Sequence, residues 1–248
     1  MRIVVVGASS GLGRSIGIGL AQAGEQVALL ARRHDRLVDA AKEAGNGALA
    51  IACDVTDPQS CTTAIDEAAA GLGGIDGVVF ATGVGVLGRL TDVDLDAWHL
   101  SFDTNVIGAN LVTAAALPYL KDSGGAVAYL SSISASITTP FPGLGVYAVS
   151  KAALDKLIEA WRIEQPTVGF TRVVVGDCAG GEGESMTQFA NSWDVELATE
   201  LGTMWFEKGL ITGTLLPVEE LVRVIDAVLR SGALTNIPTV VVTPRPAG

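Results

Sequence analysis

Short apolar runs alternate with longer stretches of helical period along most of the chain. Ile3–Val6, Val27–Ala31, Ala48–Cys53, Gly77–Ala81, Ala126–Leu130, Phe170–Val175 and Pro238–Val242 are rich in β-branched residues and largely apolar, as strands covered on both faces should be. Between them the spacing predicts helices over Leu12–Ala23, Asp35–Ala44, Pro58–Gly71, Leu95–Leu120, Ala148–Ile163 and Pro217–Arg230. Asp57-Pro58 supplies a capping carboxylate and a proline for a first helical turn, while Gly24 and Gly45 stop two other helices. Strand–helix alternation of this kind implies crossover units and a doubly wound parallel sheet of about seven strands, with helices on both faces. No linker, repeat or low-complexity block divides the sequence, so a single domain over residues 1–248 is expected. Only Cys178 to Gly213 breaks the rhythm: it is Gly- and acid-rich, then amphipathic through Leu197, Leu201, Met204 and Trp205.

Composition narrows what such a fold can do. Over 248 residues, 49% apolar and 17% charged content allows a sizeable core and argues against disorder. Sixteen Lys and Arg against 27 Asp and Glu give a net charge of −11, which speaks against nucleic acid or an anionic membrane as partner. Three cysteines without a CxxC and only two histidines suggest neither a disulfide framework nor a metal centre. The four apolar residues Ile3 to Val6 are too few for a secretory core, which needs roughly 7–15. No stretch is apolar enough for a spanning helix of about 20 residues, so a cytoplasmic protein is expected. Chemistry would then rest on hydroxyls, carboxylates, lysines or a borrowed cofactor.

The first candidate for such chemistry is Gly7-Ala8-Ser9-Ser10-Gly11-Leu12-Gly13, lying between the first strand and the first helix. A diphosphate can approach a backbone free of Cβ atoms, and a helix N-terminus offers unpaired N–H groups and positive potential. A tight strand-to-helix turn would call for the same glycines without any ligand. Gly17 and Gly19, inside the helix, read as close packing on the sheet. After the second strand comes Ala31-Arg32-Arg33, with no carboxylate before Asp35. An acidic residue there would bind a ribose hydroxyl, whereas guanidinium forks suit a ribose 2′-phosphate. That favours a phosphorylated dinucleotide over the unphosphorylated one, against the alternative of a solvated surface pair. Asp54 is either an adenine contact or a helix cap.

Tyr147 and Lys151 stand four apart, on one face of a predicted helix, at the edge of a charge-free stretch. An ammonium ~4 Å from a phenol attracts the phenolate by ~4 kcal/mol at an effective dielectric near 20. That is enough to lower the phenol's pKa from about 10 by up to three units and bring it into range for proton transfer. An ordinary helical Tyr/Lys pair is the competing reading.

Taken together, Gly7–Gly13, Asp54-Val55, Asn105-Val106-Ile107-Gly108, Ser131-Ser132 and Tyr147-Ala148-Val149-Ser150-Lys151 resemble the short-chain dehydrogenase/reductase family. The resemblance runs from Arg2 to about Val175 and extends to the last helix and strand. It implies a Rossmann sheet and an oxidoreductase that moves hydride between a nicotinamide and a carbonyl/alcohol pair. With Arg32-Arg33 after the second strand, NADP(H) is expected as the preferred cofactor, with NAD(H) also possible. By the same resemblance Tyr147 is the acid/base, Ser132 binds the substrate oxygen, Lys151 binds the nicotinamide ribose, and Asn105 holds a relay water. Gly7, Ser9, Ser10, Gly11, Leu12, Gly13, Arg32, Arg33, Asp54, Val55, Ala81 and Gly83 would line the cofactor site with Tyr147 and Lys151.

Segment 178–213 sits where the family carries a substrate lid, with Met186, Phe189, Trp193, Met204, Trp205 and Phe206 as an apolar roof or, alternatively, as core packing. Trp98 and the Leu95–Leu120 helix match a face used for homodimers and homotetramers. Four departures stand out. Phe80-Ala81-Thr82-Gly83 lacks the family's asparagine, and Val6 replaces a hydroxyl residue. Ser132 lies fifteen residues before Tyr147, with Ser134 as competitor, and Val175-Gly176-Asp177-Cys178 replaces a Pro-Gly. Asp177 and the missing asparagine feed the alternative of a catalytically weak dinucleotide-binding sensor or partner protein, which the intact Asn105, Ser132, Tyr147 and Lys151 oppose.

Overall fold

Alternate residues of the apolar strands face opposite sides of one sheet, and the helices between them supply the two covering layers. The computed structural model describes residues 1–245 except Ala179, Glu182, Thr212 and Ala233; these four and Pro246–Gly248 lie outside the described residues. Parts of the expected lid segment fall among them. The seven strands are β1 (Arg2–Val6), β2 (Gln26–Ala31), β3 (Leu49–Ala52), β4 (Gly77–Phe80), β5 (Ala126–Ser132), β6 (Gly169–Val175) and β7 (Thr239–Val242). They pair in the order β3-β2-β1-β4-β5-β6-β7, and all pairings are parallel. The order reverses at β1, with β2 on one side and β4 on the other, which opens a crevice beyond the strands' carboxyl ends.

The period-two rule divides the core cleanly. Val4, Val6, Val78, Phe80, Val127 and Tyr129 face α3 (Pro58–Leu72), α5 (Gly108–Ser123) and α7 (Gly145–Glu164). Ile3, Val5, Val79, Ala126 and Ala128 face α1 (Gly11–Gln22), α2 (His34–Ala44) and α9 (Val218–Ser231). Gly17 packs on the sheet as expected, since a Cβ would fall 2.4 Å from Leu29 Cδ2, whereas Gly19 packs on α9 instead, where a Cβ would fall 2.9 Å from Val222 Cγ1. Asp57 caps α3 by accepting from the Gln59 N–H at 2.9 Å, with Pro58 in the first turn. No described helix is long and apolar enough to cross a membrane.

The expected single helix over Leu95–Leu120 is instead α4 (Leu95–Phe102), a π-helical turn (Asp103–Ile107) and α5. Asn105 lies in this wide turn, fully buried, with its side chain engaged by the loop after β4 and by α7. Gly108 just beyond fits against Val55, where a Cβ would come within 2.9 Å. Two further helices, α6 (Ile133–Ser136) and α8 (Val195–Glu207), complete the set. With Phe141, Leu144, Leu201 and Trp205 at its centre, α8 builds a small third core apart from the two sheet faces.

Candidate active site

A cleft of about 620 Å³ opens at the crevice where the strand order reverses. Its size falls within the range of small-molecule and cofactor sites. Gly7, Ser9, Ser10, Gly11, Leu12, Gly13, Arg32, Arg33, Asp54, Val55, Ala81, Gly83, Ser132, Tyr147 and Lys151 all line it. Asn105, the remaining expected residue, sits behind the wall.

The glycine loop ends in positions only glycine can hold. Gly7 has a φ of +91°, and a Cβ there would fall 2.7 Å from the Thr82 nitrogen. At Gly13 it would fall 2.4 Å from the Gly7 carbonyl oxygen. Both keep the entry to α1 bare, so that helix-terminal N–H groups can meet an anion. Arg33 folds over this loop: its Nη2 donates to Ser9 Oγ at 2.8 Å and Ser10 Oγ at 2.9 Å, and its Nη1 to Gln188 Oε1. Burial, then the neighbouring Arg36 and Arg32, push the Arg33 guanidinium below its ordinary pKa, a local excess of positive charge that suits a phosphate. Arg32 is exposed at the rim. Asp54 is not a cap, since Asp57 does that work. Its Oδ1 accepts from the Thr56 N–H at 3.0 Å and Thr56 Oγ1 at 2.8 Å; chiefly the backbone bond holds the carboxyl below its usual range.

At the opposite end, β5 and α7 bring Ser132, Tyr147 and Lys151 to one wall. Ser132 ends β5 and caps α6, accepting from the Ser134 N–H at 3.3 Å, and the two serine hydroxyls lie 2.9 Å apart. Ser132 also pulls against the dominant effect of burial on the Tyr147 phenol. Lys151 is buried and donates from Nζ to the Leu130 carbonyl at 2.8 Å, with the Tyr147 ring centroid 5.9 Å away.

The expected lowering of the Tyr147 pKa is not found. Burial pushes the phenol up to about 12, despite the opposing Ser132 hydrogen bond. Burial brings Lys151 down to about 8, opposed by Asp155. The ammonium is aimed at a backbone carbonyl, so its attraction does not offset the loss of water around a phenolate.

Sequence reasoning missed Asp155, one helical turn beyond Lys151. It is buried and accepts from Ser131 Oγ at 2.6 Å and Arg172 Nη1 at 2.9 Å. A carboxylate on the inner face of an amphipathic helix, at i+4 from a lysine, was the available signal. Asn105 has its amide engaged on both atoms. Oδ1 accepts from the Val84 N–H at 2.9 Å, and Nδ2 donates to the Val84 carbonyl and to Ser150 Oγ, each at 2.9 Å. Asn105 thus holds the loop after β4, which lacks an asparagine of its own, against α7.

The roof is a run of rings. Phe189 meets Tyr147 edge-on at 5.0 Å, Trp193 meets Phe189 at 5.4 Å, and Trp205 meets Trp193 at 6.1 Å. Trp193 Nε1 donates to the Gly85 carbonyl at 2.7 Å, and Trp205 Nε1 to the Pro142 carbonyl at 2.8 Å. Of the six expected roof residues, only Phe189 lines the cleft; Trp193, Met204 and Trp205 pack behind it in the third core. Met186 and Phe206 point to solvent, 58% and 67% exposed, because neither falls on the α8 face or loop side that meets that core.

A family model described as short chain dehydrogenase matches residues 1–193. The chain belongs to the short-chain dehydrogenase/reductase family. A short chain dehydrogenase from Pseudocercospora fijiensis is 37% identical over 172 residues, 67% of this chain and 55% of that protein. An 11-beta-hydroxysteroid dehydrogenase A from Sesamum indicum is 32% identical over 180 residues, 70% of this chain and 51% of that one. This short-chain dehydrogenase/reductase therefore spans about half the length of the curated relatives it matches. Among solved structures, a short-chain type dehydrogenase/reductase from Mycobacterium marinum superposes with a TM-score of 0.83 at 28% identity, covering 98% of this chain and 93% of that one. The family comprises oxidoreductases that use nicotinamide dinucleotides, and the cleft suits such a cofactor by its bare glycine loop.

Proposed function

We propose that this short-chain dehydrogenase/reductase interconverts a carbonyl and an alcohol, prefers NADP(H) to NAD(H), and uses Tyr147 as its acid/base. The observation that carries the reading is the meeting of Ser132, Tyr147 and Lys151 in the same cleft as the glycine loop. When bound, the nicotinamide supplies or accepts the hydride. Gly7, Ser9, Ser10, Gly11, Leu12 and Gly13 would hold the diphosphate, Arg32 and Arg33 the 2′-phosphate, and Asp54 and Val55 the adenine. Ala81 and Gly83 would flank the cofactor along β4, and Lys151 would hold the nicotinamide ribose.

Tyr147, raised to about 12, keeps its proton at neutral pH and gives it only to a stronger base such as an alkoxide. That property fits proton donation during carbonyl reduction. Ser132 holds the substrate oxygen beside the phenol, and Lys151, near 8, remains mostly an ammonium at neutral pH. Asn105, expected to hold a relay water, has its side-chain amide committed to Val84 and Ser150, and acts as a positioning residue for the wall that carries both. Segment 178–213 forms the substrate lid through Phe189 and the core behind it, within a single domain. Exposed Leu95, Leu100 and Ile107 on the α4–α5 face support a homodimer or homotetramer.

Fluorescence titration tests the cofactor assignment: NADPH should bind at least about tenfold more tightly than NADH, the effect of one charge-assisted contact. Equal or tighter NADH binding overturns it. A panel of carbonyls and alcohols with wild-type protein tests the reaction class. Silence across the panel despite firm NADPH binding would favour the dinucleotide-binding sensor.

A further inference from the structure

Among the described residues, five charged side chains line the cleft: Arg32, Arg33, Asp54, Lys151 and Asp177. Arg33 is taken up by Ser9, Ser10 and Gln188, Asp54 by Thr56, and Lys151 by the Leu130 carbonyl. Arg32 stands in solvent. Asp177 is different, being half-buried with a carboxylate that has no hydrogen-bond or ion-pair partner among the described residues. Burial alone shifts its acidity, upward, as for a carboxylate that has lost water and gained nothing in return.

Its place in the fold is fixed. Val175, the last residue of β6, pairs with Ser132 at the end of β5, and Asp177 follows two residues on. The Asp177 carbonyl accepts from the Leu216 N–H at 2.7 Å, and Cys178 forms a parallel bridge with Leu216. This pinned backbone puts the carboxylate at the Ser132 end of the cleft, away from the guanidinium end. Other walls of the cleft carry Phe141, Leu144 and Phe189. A partly desolvated anion is stabilised most by a ligand that brings its own positive donor. The net charge of −11 further draws cations toward the molecule.

We propose that Asp177 is a specificity-determining residue, which selects carbonyl or alcohol substrates bearing a cationic amine beside an apolar or aromatic body. The assignment rests on the carbonyl–alcohol reading above and names the substrate class for that site. Asp177 accepts from the ammonium while the reacting oxygen lies against Ser132 and Tyr147. The aromatic body lies under Phe189.

Matched alcohols that differ in one group test it, with NADP+ as oxidant. 2-Amino-1-phenylethanol is compared with 1-phenylpropan-1-ol, and 3-amino-1-phenylpropan-1-ol with 1-phenylbutan-1-ol, in wild-type protein and in Asp177→Asn. The better amine should exceed its alkyl counterpart by at least about tenfold in kcat/KM, and the ratio should fall toward one in the variant. Calorimetry with 2-phenylethylamine against neutral 2-phenylacetamide, in the presence of NADP+, reads the pocket without turnover. Circular dichroism and NADPH binding report that the variant folds. If no alcohol turns over but amine binding still depends on Asp177, the carbonyl–alcohol reading fails and the cation site stands. Equal rates and equal binding of amine and neutral partners in wild type overturn the proposal. So does a variant that weakens NADP+ binding but keeps the amine preference, because the carboxylate would then serve the cofactor.

Discussion

The floor and the roof of the cleft are built by different means. The floor is the carboxyl edge of the sheet, where Gly7, Ala81, Ser132 and Gly176 follow or end strands sandwiched between two extensive cores. The roof rests on a third core of four buried residues, with rings meeting edge-on and each indole bonded to a single backbone carbonyl. Positions on the floor are set by the whole fold, to the tolerance that glycine contacts below 3 Å demand. Positions on the roof are set locally, by a few buried apolar contacts, the condition under which a segment opens independently of the rest of the fold.

The comparison can be broken at the roof first. Trp205→Ala removes the indole at the centre of the third core and should cost about 3–5 kcal/mol of local stability. Hydrogen exchange should then speed up across 187–211 while amides of β1, β4 and β5 keep their protection. Loss of protection in the sheet would show that roof and floor are one cooperative unit. On the floor, Gly13→Ala drives a methyl into the Gly7 carbonyl. It should weaken dinucleotide binding by about a hundredfold, the upper end of overpacking costs, measured by titration with NADPH. An unchanged affinity would mean that the loop is only a turn.

Arg33→Ala sharpens the contrast between the two ends of the floor. NADPH affinity should fall by about 10–100-fold while NADH affinity changes little, since only the former carries the phosphate. A smaller effect is expected from Asp155→Asn. Lys151, lowered to about 8 by burial, is supported in its charged form by Asp155. As a base with a depressed pKa, it loses its proton as pH rises through that value, so carbonyl reduction that needs the ammonium should decline above about pH 8. The variant should move this limb of the kcat/KM profile to lower pH. A limb that stays in place assigns Asp155 to holding Ser131 and Arg172 alone.

These two regions also differ in how far the sequence revealed them. Each strand lies within two residues of its expected span, because apolar runs covered on both faces are unambiguous and every crossover is punctuated by glycine, proline or a cap. Site residues that end strands or open helices were legible for the same reason. The π-helical turn was not, since it depends on Asn105 reaching Val84 and Ser150, neither of them near it in sequence. Nor was the roof's true lining: helical period separates Trp205 from Phe206 only once the helix and its partner are known. The direction of the Tyr147 shift was not legible either, because it turns on burial of the phenol and on where the Lys151 ammonium points, and both are set by packing. Asp155 escaped notice as one carboxylate among 27 acidic residues, and only its buried contacts single it out.

Single-turnover reduction of a carbonyl substrate by Tyr147→Phe, loaded with saturating NADPH, tests the central claim most directly. Without the phenolic proton the rate of NADPH consumption should fall by about 10²–10⁴-fold, the span typical of general acid catalysis, while NADPH affinity stays within a few-fold of wild type. A rate close to that of the wild type would place the proton donor elsewhere in the cleft and contradict the account.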